Sequence, residues 1–248
     1  MKAFLAALIA LQCFPLSSAA MELRQMQTPR GTHHGIWGDK PTKPAPTLFI
    51  IGNPISVMGQ ESMRHLLGTG NALAKQGWIY VVLDPACEGH DLKQGQPSSL
   101  AGWAIRAKKG EDFLGPYLRN CIDVLDHLIA EGFTDAQRVA VQGVSRGGFC
   151  ALHFAARDPR IKVVVGVSPV TNPLALKEFA GVTAQTFYDN HVRTLFFCQY
   201  AQSAKAAFMA ANYTRLIALF QHQAHVLKRL GTGRYDYYFH CIKILVKC

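Results

Sequence analysis

The chain has 248 residues, a formal net charge of +10 and a hydrophobic fraction of 49%. No stretch after residue 20 is long and apolar enough to cross a bilayer, and the cysteines show no CxxC pair, so neither a stable membrane anchor nor a metal site is expected. Much of the excess charge lies in residues 187–248, which hold 8 basic and 2 acidic residues. Without a nucleic-acid motif this indicates a solvated basic surface, and we expect no nucleic-acid partner.

Residues 1–20 carry the pattern of a secretory signal peptide. Lys2 supplies the positive charge, residues 3–16 form a short apolar run, and small residues at 17–20 suit cleavage. A membrane-spanning helix is the alternative, and it is disfavoured because the apolar run is shorter than about 18 residues. We therefore expect a secreted or periplasmic protein whose single domain covers residues 21–248.

Apolar runs and helix-like segments alternate along that domain. Residues 21–46 are polar and rich in Pro, Gly and Thr, which indicates an extended lead-in with at most a short strand. Four apolar runs predict buried strands over 47–51, 78–83, 138–142 and 161–167. Periodicity and glycine stops predict helices over 61–76, 111–130 and 148–157. The alternation predicts an α/β fold with a mostly parallel sheet and helices on both faces.

Function in such a sheet collects at the carboxyl ends of the strands. Asn53 follows the first predicted strand, residues 84–90 follow the second, and Ser145 follows the third. We expect these residues to form the functional edge of the sheet.

The sequence Gly143-Val144-Ser145-Arg146-Gly147 joins the third predicted strand to the third predicted helix. A Gly-x-Ser-x-Gly sequence in this position predicts a nucleophile elbow, a tight turn that lifts the serine hydroxyl clear of the sheet. Larger side chains two positions either side of the serine would clash. The N–H groups of the following helix would face a developing oxyanion. The alternative is a tight turn that needs glycines and has no catalytic role.

Supporting segments accompany the elbow: Gly77-Trp78, Leu83-Asp84-Pro85, Gly89-His90, 155–160 and 168–171. Together these residues resemble the α/β-hydrolase superfamily on its dienelactone-hydrolase and prolyl-oligopeptidase-like branch, and within it a group of bacterial exported hydrolases. The resemblance covers residues 44–182, and residues 187–248 are atypical of it.

The resemblance implies that Ser145 is the nucleophile of a serine hydrolase. The backbone N–H groups of Arg146 and Asn53 would then form the oxyanion hole. The implied substrate is a small-molecule ester or acyl compound, cleaved through an acyl-serine intermediate without a cofactor or metal. Two alternatives stay open: a catalytically inactive or truncated hydrolase-fold protein, and a serine peptidase of the prolyl-oligopeptidase type.

The acid and base of a catalytic triad are harder to assign. In the superfamily they follow the serine, acid first and histidine second. The apolar run at 194–198 predicts a further strand, but residues 199–203 after it hold no carboxylate, so the acid stays unassigned. His240 lies at a distance where a base could fall. One hypothesis is that the reading frame or the gene changed near residue 190, which would leave the C-terminal part of the sheet atypical or incomplete.

Three further side chains have competing interpretations. For His90 a role in loop structure or pocket lining is favoured over that of general base, and Asp84 is expected to cap the loop. The side chain of Arg146 is expected either to meet an acidic group of the substrate or to pair with a carboxylate of the protein.

Overall fold

The computed structural model describes residues 22–170, 172–183 and 242–246. Within these ranges one seven-stranded sheet runs in the order β1-β2-β4-β3-β5-β6-β7. Its strands are β1 (Leu23–Gln27), β2 (His33–Trp37), β3 (Ala45–Ile51), β4 (Ile79–Leu83), β5 (Thr134–Val144), β6 (Ile161–Val167) and β7 (Ile242–Val246).

Helices connect the parallel strands. They are α1 (Ile55–Met58), α2 (Gly68–Ala74), α3 (Ser99–Lys108), α4 (Leu114–Ala130) and α5 (Arg146–Arg157). Short 3-10 helices cover Glu61–Leu67, Gly89–Asp91, Pro173–Ala175 and Lys177–Phe179. Among the described helices none is long and apolar enough to cross a membrane.

The centre of the sheet is parallel, as the sequence predicts. Strand β3 pairs in parallel with β4 and β5, and β5 pairs in parallel with β6. Antiparallel pairs lie outside this centre, where β2 joins β4, β1 joins β2, and β7 joins β6. The carboxyl ends of β3, β4 and β5 therefore meet at one edge, which positions the loops that follow them side by side.

The residues of β3 show why helices pack on both faces of the central, parallel part of the sheet. Phe49 and Ile51 point into one hydrophobic cluster, while Leu48 and Ile50 point into a second, because successive strand residues face opposite sides. The first cluster contains residues of α3, α4 and α5, and the second contains residues of α1 and α2. The predicted helices on both faces are confirmed.

Some elements differ from the sequence prediction. The lead-in forms two strands, β1 and β2, because the backbone of β2 pairs with the buried strand β4. Helix α3 lies where no element was predicted. The predicted helix over 61–76 divides into a 3-10 helix and α2. Helix α4 begins three residues later than predicted, where the Asp112 carboxylate accepts the N–H of Gly115 at 2.7 Å.

Several predictions concern parts of the chain outside the described residues. These are the signal peptide, the strand over 194–198 and the candidate base His240. They stay predictions.

Candidate active site

Ser145 occupies the turn between β5 and α5 in a conformation that a serine rarely adopts. Its backbone angles are φ 52° and ψ −117°, a strained combination that costs about 1 to 3 kcal/mol. Hydrogen bonds hold it: Ser145 N–H donates to the Val167 carbonyl at 2.9 Å, and the Ser145 carbonyl accepts from Gly148 N–H at 3.0 Å and Val170 N–H at 3.1 Å. Ser145 itself is exposed at the carboxyl edge of the sheet.

The glycines around Ser145 are required by close backbone approaches. A Cβ on Gly143 would lie 2.1 Å from the Gly147 carbonyl oxygen, and a Cβ on Gly147 would lie 2.2 Å from the Ile51 carbonyl oxygen. Both neighbours are backbone atoms, which cannot move aside as a flexible side chain can. The predicted steric reason for the Gly-x-Ser-x-Gly sequence is therefore present in the structure.

The approach of Gly147 to Ile51 also places the start of α5 against the end of β3. Arg146 is the first residue of α5, and the first N–H groups of a helix have no partner within it. Asn53 follows β3, and its side-chain oxygen accepts a hydrogen bond from Arg146 Nη2 at 3.2 Å. The structure thus brings Ser145, Arg146 and Asn53 to one edge of the sheet.

The Arg146 guanidinium pairs with Glu88, a residue that the sequence analysis did not single out. Arg146 Nε donates to Oε1 of Glu88 at 2.7 Å, and Nη2 donates to Oε2 at 2.9 Å. Burial raises the pKa of Glu88, and the hydrogen bond from Arg146 opposes that rise. Of the two expectations for Arg146, pairing with a carboxylate of the protein is confirmed.

Asp84 joins two loops of the same edge. Its Oδ1 accepts the N–H of Ile55 at 2.8 Å, and its Oδ2 accepts the N–H of His90 at 3.1 Å. Gly89 has φ 53°, and a Cβ there would lie 2.2 Å from the Asp84 carboxyl carbon. The expectation that Asp84 caps the loop is confirmed.

His90 is fixed by this loop and by a neighbouring ring. Its Nδ1 lies 2.5 Å from Asp84 Oδ2, and its imidazole stacks on that of His33 with ring centroids 3.7 Å apart. These contacts support the interpretation of His90 as a structural residue of the loop.

The partners of a serine nucleophile are not among the described contacts. Within the described ranges no hydrogen bond joins the Ser145 hydroxyl to a histidine or a carboxylate. His240 lies outside those ranges. Its assignment as base and the identity of the acid stay open.

Residues 71–220 match the model of the prolyl oligopeptidase family, Peptidase_S9. This range covers more than half of the chain and includes Ser145. It continues beyond residue 187, into the segment with the basic charge excess.

Individual known proteins match shorter parts. The hydrolyase poxO of Penicillium oxalicum is 29% identical over 128 residues, which are 52% of this chain and 27% of that protein. Acylamino-acid-releasing enzyme 2 of Oryza sativa subsp. japonica is 39% identical over 56 residues, 22% of this chain and 7% of that protein. Among solved structures, oligopeptidase B from Trypanosoma brucei matches with a TM-score of 0.46 and 17% identity, over 68% of this chain and 25% of that chain. The chain spans about a quarter or less of the length of these proteins.

Proposed function

Because this chain belongs to the prolyl oligopeptidase family, a family of α/β-fold serine hydrolases, we propose that it cleaves carboxylic ester bonds through an acyl-serine intermediate on Ser145. The observation that carries the proposal is the backbone of Ser145, at φ 52° and exposed in front of α5. This strained turn lifts the hydroxyl to the edge of the sheet, where a carbonyl can approach it.

The proposed reaction has two steps. The Ser145 oxygen attacks the ester carbonyl and the alcohol leaves, and water then releases the acid from the acyl-serine. The negative oxygen formed in each step would accept hydrogen bonds from the N–H groups of Arg146 and Asn53. A base must take the serine proton, and His240 stays the candidate for that role.

Ester cleavage is proposed ahead of amide cleavage because an alcohol is a better leaving group than an amine. The reaction therefore demands less of the protonated base, which must pass the serine proton to the leaving group and for which His240 is the candidate. Peptide or acyl-amide cleavage is the second candidate, favoured by the family and by the acylamino-acid-releasing relative. The third is a hydrolase-fold protein without catalysis.

A fluorophosphonate probe tests the proposal, since it reacts with activated serines. We expect folded wild-type protein to be labelled and Ser145→Ala to stay unlabelled. Ser168→Ala is a matched control, because Ser168 is also a non-glycine residue at positive φ, 43°, just after the neighbouring strand. Absence of labelling in folded wild-type protein would show that Ser145 is not an activated nucleophile and would contradict the proposal.

A pair of substrates separates the two enzymatic candidates. We expect hydrolysis of short-chain aryl esters and none of N-acyl peptide anilides. Faster cleavage of the anilides would make the chain a peptidase.

We also propose that residues 1–20 direct export to the periplasm or the medium. The N-terminal sequence of the protein recovered from a bacterial periplasm tests this. A start at Ala20 or Met21 is expected, and a start at Met1 contradicts export through cleavage.

A further inference from the structure

We infer that the Arg146 side chain, paired with Glu88, is a positioning group that holds the loop after β3 and so fixes the N–H of Asn53 relative to Ser145. The inference rests on the proposed function, because the proposed function is what gives the Asn53 N–H a role in the oxyanion hole. The inference adds a set of side-chain contacts that hold three loops together.

The contacts of Arg146 join the carboxyl ends of three adjacent strands. Asn53 follows β3, Glu88 lies in the loop after β4, and Arg146 follows β5. The guanidinium donates two hydrogen bonds to Glu88, at 2.7 and 2.9 Å, and one to the Asn53 side-chain oxygen at 3.2 Å. The residue whose backbone would supply the first oxyanion donor thereby holds the residue that would supply the second.

The geometry of this pair is directional. Two parallel hydrogen bonds between a guanidinium and a carboxylate fix the plane of the guanidinium, which a single bond would leave free to turn. The Glu88 side chain is 7% exposed and that of Arg146 is 19% exposed, so water competes little for these bonds. With its plane fixed, the guanidinium points the second N–H of Nη2 at the Asn53 side-chain oxygen.

A second tie restrains the other end of the same loop. The Asp84 carboxylate accepts the N–H of Ile55 at 2.8 Å, and Pro54 between the two anchored residues has its φ set by its ring at −53°. Asp84 and Glu88 belong to the same loop after β4. That loop thus holds the segment 53–55 through the Asn53 side chain at one end and the Ile55 backbone at the other.

Net stability is a weak explanation for the Arg146–Glu88 pair. The desolvation of two charges offsets much of their attraction, so a buried ion pair is often no more stabilising than apolar side chains of similar size. Breaking one partner is different, because it leaves a buried charge alone. Arg146→Met would therefore mix a folding defect with any effect on the oxyanion hole, and the test needs variants that avoid it.

Asn53→Ala is the main variant, because it removes the bond to Arg146 and leaves the ion pair intact. Asn53→Asp restores an oxygen that accepts from the guanidinium. The double variant Glu88→Gln with Arg146→Met removes both charges together. The double variant Asp158→Asn with Arg160→Met is the matched control, because it also removes a buried carboxylate and its arginine partner together, but at the opposite end of α5.

Two measurements on the full chain decide the inference. In aryl ester hydrolysis we expect Asn53→Ala and the double variant to lower kcat about 10-fold or more with KM within about twofold, because a small displacement of a catalytic group can cost about 100-fold. Asn53→Asp should recover part of kcat, because its carboxylate restores the bond to Arg146 but adds a negative charge near the developing oxyanion. The control double variant of Asp158 and Arg160 should leave kcat near the wild-type value. In amide hydrogen exchange we expect faster exchange of residues 53–58 in Asn53→Ala and the double variant alone.

The outcomes separate this inference from the proposed function. Unchanged kcat and unchanged exchange in Asn53→Ala overturn the inference, even where the wild-type protein reacts with fluorophosphonate. A change confined to KM also overturns it. If the wild-type protein is unlabelled and inactive while exchange of residues 53–58 rises in Asn53→Ala, the proposed function and the catalytic role of the contact both fail, and only the tie between the loops stands.

Discussion

At the scale of single residues, the strain at Ser145 depends on the absence of side chains around it. The carbonyl oxygen of Ile51 would lie 2.2 Å from a Cβ on Gly147, so the start of α5 can approach β3 only with glycine there. Gly52, next to Ile51, has far more room, since its nearest neighbour to an added Cβ is Met58 Sδ at 3.8 Å. Alanine substitutions at Gly147 and Gly52 can therefore be compared directly in their effect on the free energy of unfolding.

We expect Gly147→Ala to lower the free energy of unfolding by about 2 kcal/mol or more, because the clash is with backbone and the start of α5 must move away from β3 to relieve it. Gly52→Ala should change it by less than about 1 kcal/mol, because its contact is of ordinary length. Urea denaturation followed by circular dichroism measures both values. Equal effects of the two substitutions would show that the approach of α5 to β3 is not rigid.

Residue-scale predictions from the sequence succeeded where the chemistry is local. The elbow could be predicted because the serine and the glycines that permit its turn lie within five consecutive positions. Glu88 could not, because it meets Arg146 across 58 positions of sequence and no local pattern marks a glutamate as the partner of a distant arginine. The one available signal was its place in the loop after β4, at the edge where functional residues were expected.

At the scale of elements, strand β2 shows how tertiary pairing overrides a polar sequence. The strand contains His33, His34 and Gly35, residue types with little preference for β-strands. Even so, β2 pairs with β4, and His34 is fully buried. Helix α3 was not predicted for a related reason, which is that tertiary packing outweighs the local preference of its residues. It contains Gly102, which disfavours a helix by about 1 kcal/mol, but a Cβ there would lie 2.7 Å from the Cβ of Cys87, so close packing requires the glycine.

The burial of His34 in β2 makes stability depend on pH. Burial lowers its pKa from 6.5 to about 4, although the Thr32 backbone and Asp123 oppose the shift; His127 and His33 add to it. Between these pH values the unfolded chain holds a proton that the folded chain lacks. The stabilisation is therefore present above pH 6.5 and is lost as the pH falls towards 4, by about 3 kcal/mol.

Urea denaturation at pH 7 and at pH 4.5 measures this loss. Because other groups also titrate, the difference between the wild type and His34→Gln is the informative quantity. We expect the variant to lose less stability than the wild type on acidification, since glutamine takes up no proton. Identical losses in the two proteins would show that His34 does not titrate as its burial requires.

At the scale of the whole molecule, the parallel centre and the two helical layers could be predicted from the sequence because buried strands give long apolar runs. The outer antiparallel strands could not, because their pairing depends on neighbours far along the chain. Strand β7 is the clearest case: residues 242–246 pair with β6, about 80 positions earlier, in a register that sets Ile244 opposite Val165. The hypothesis of an altered C-terminal frame stays open, and sequencing the locus tests it.

The pairing of β7 with β6 predicts a consequence for the whole chain. Without β7, strand β6 would expose the unpaired backbone of an apolar run that includes Val163, Val164 and Val165, and such edges associate with one another. We expect a chain that ends at residue 241 to be less stable and to form larger species in size-exclusion chromatography with light scattering. A chain that lacks only residues 247 and 248 keeps β7 and is the control. If both shortened chains unfold at the same urea concentration and elute alike, β7 does not protect this edge.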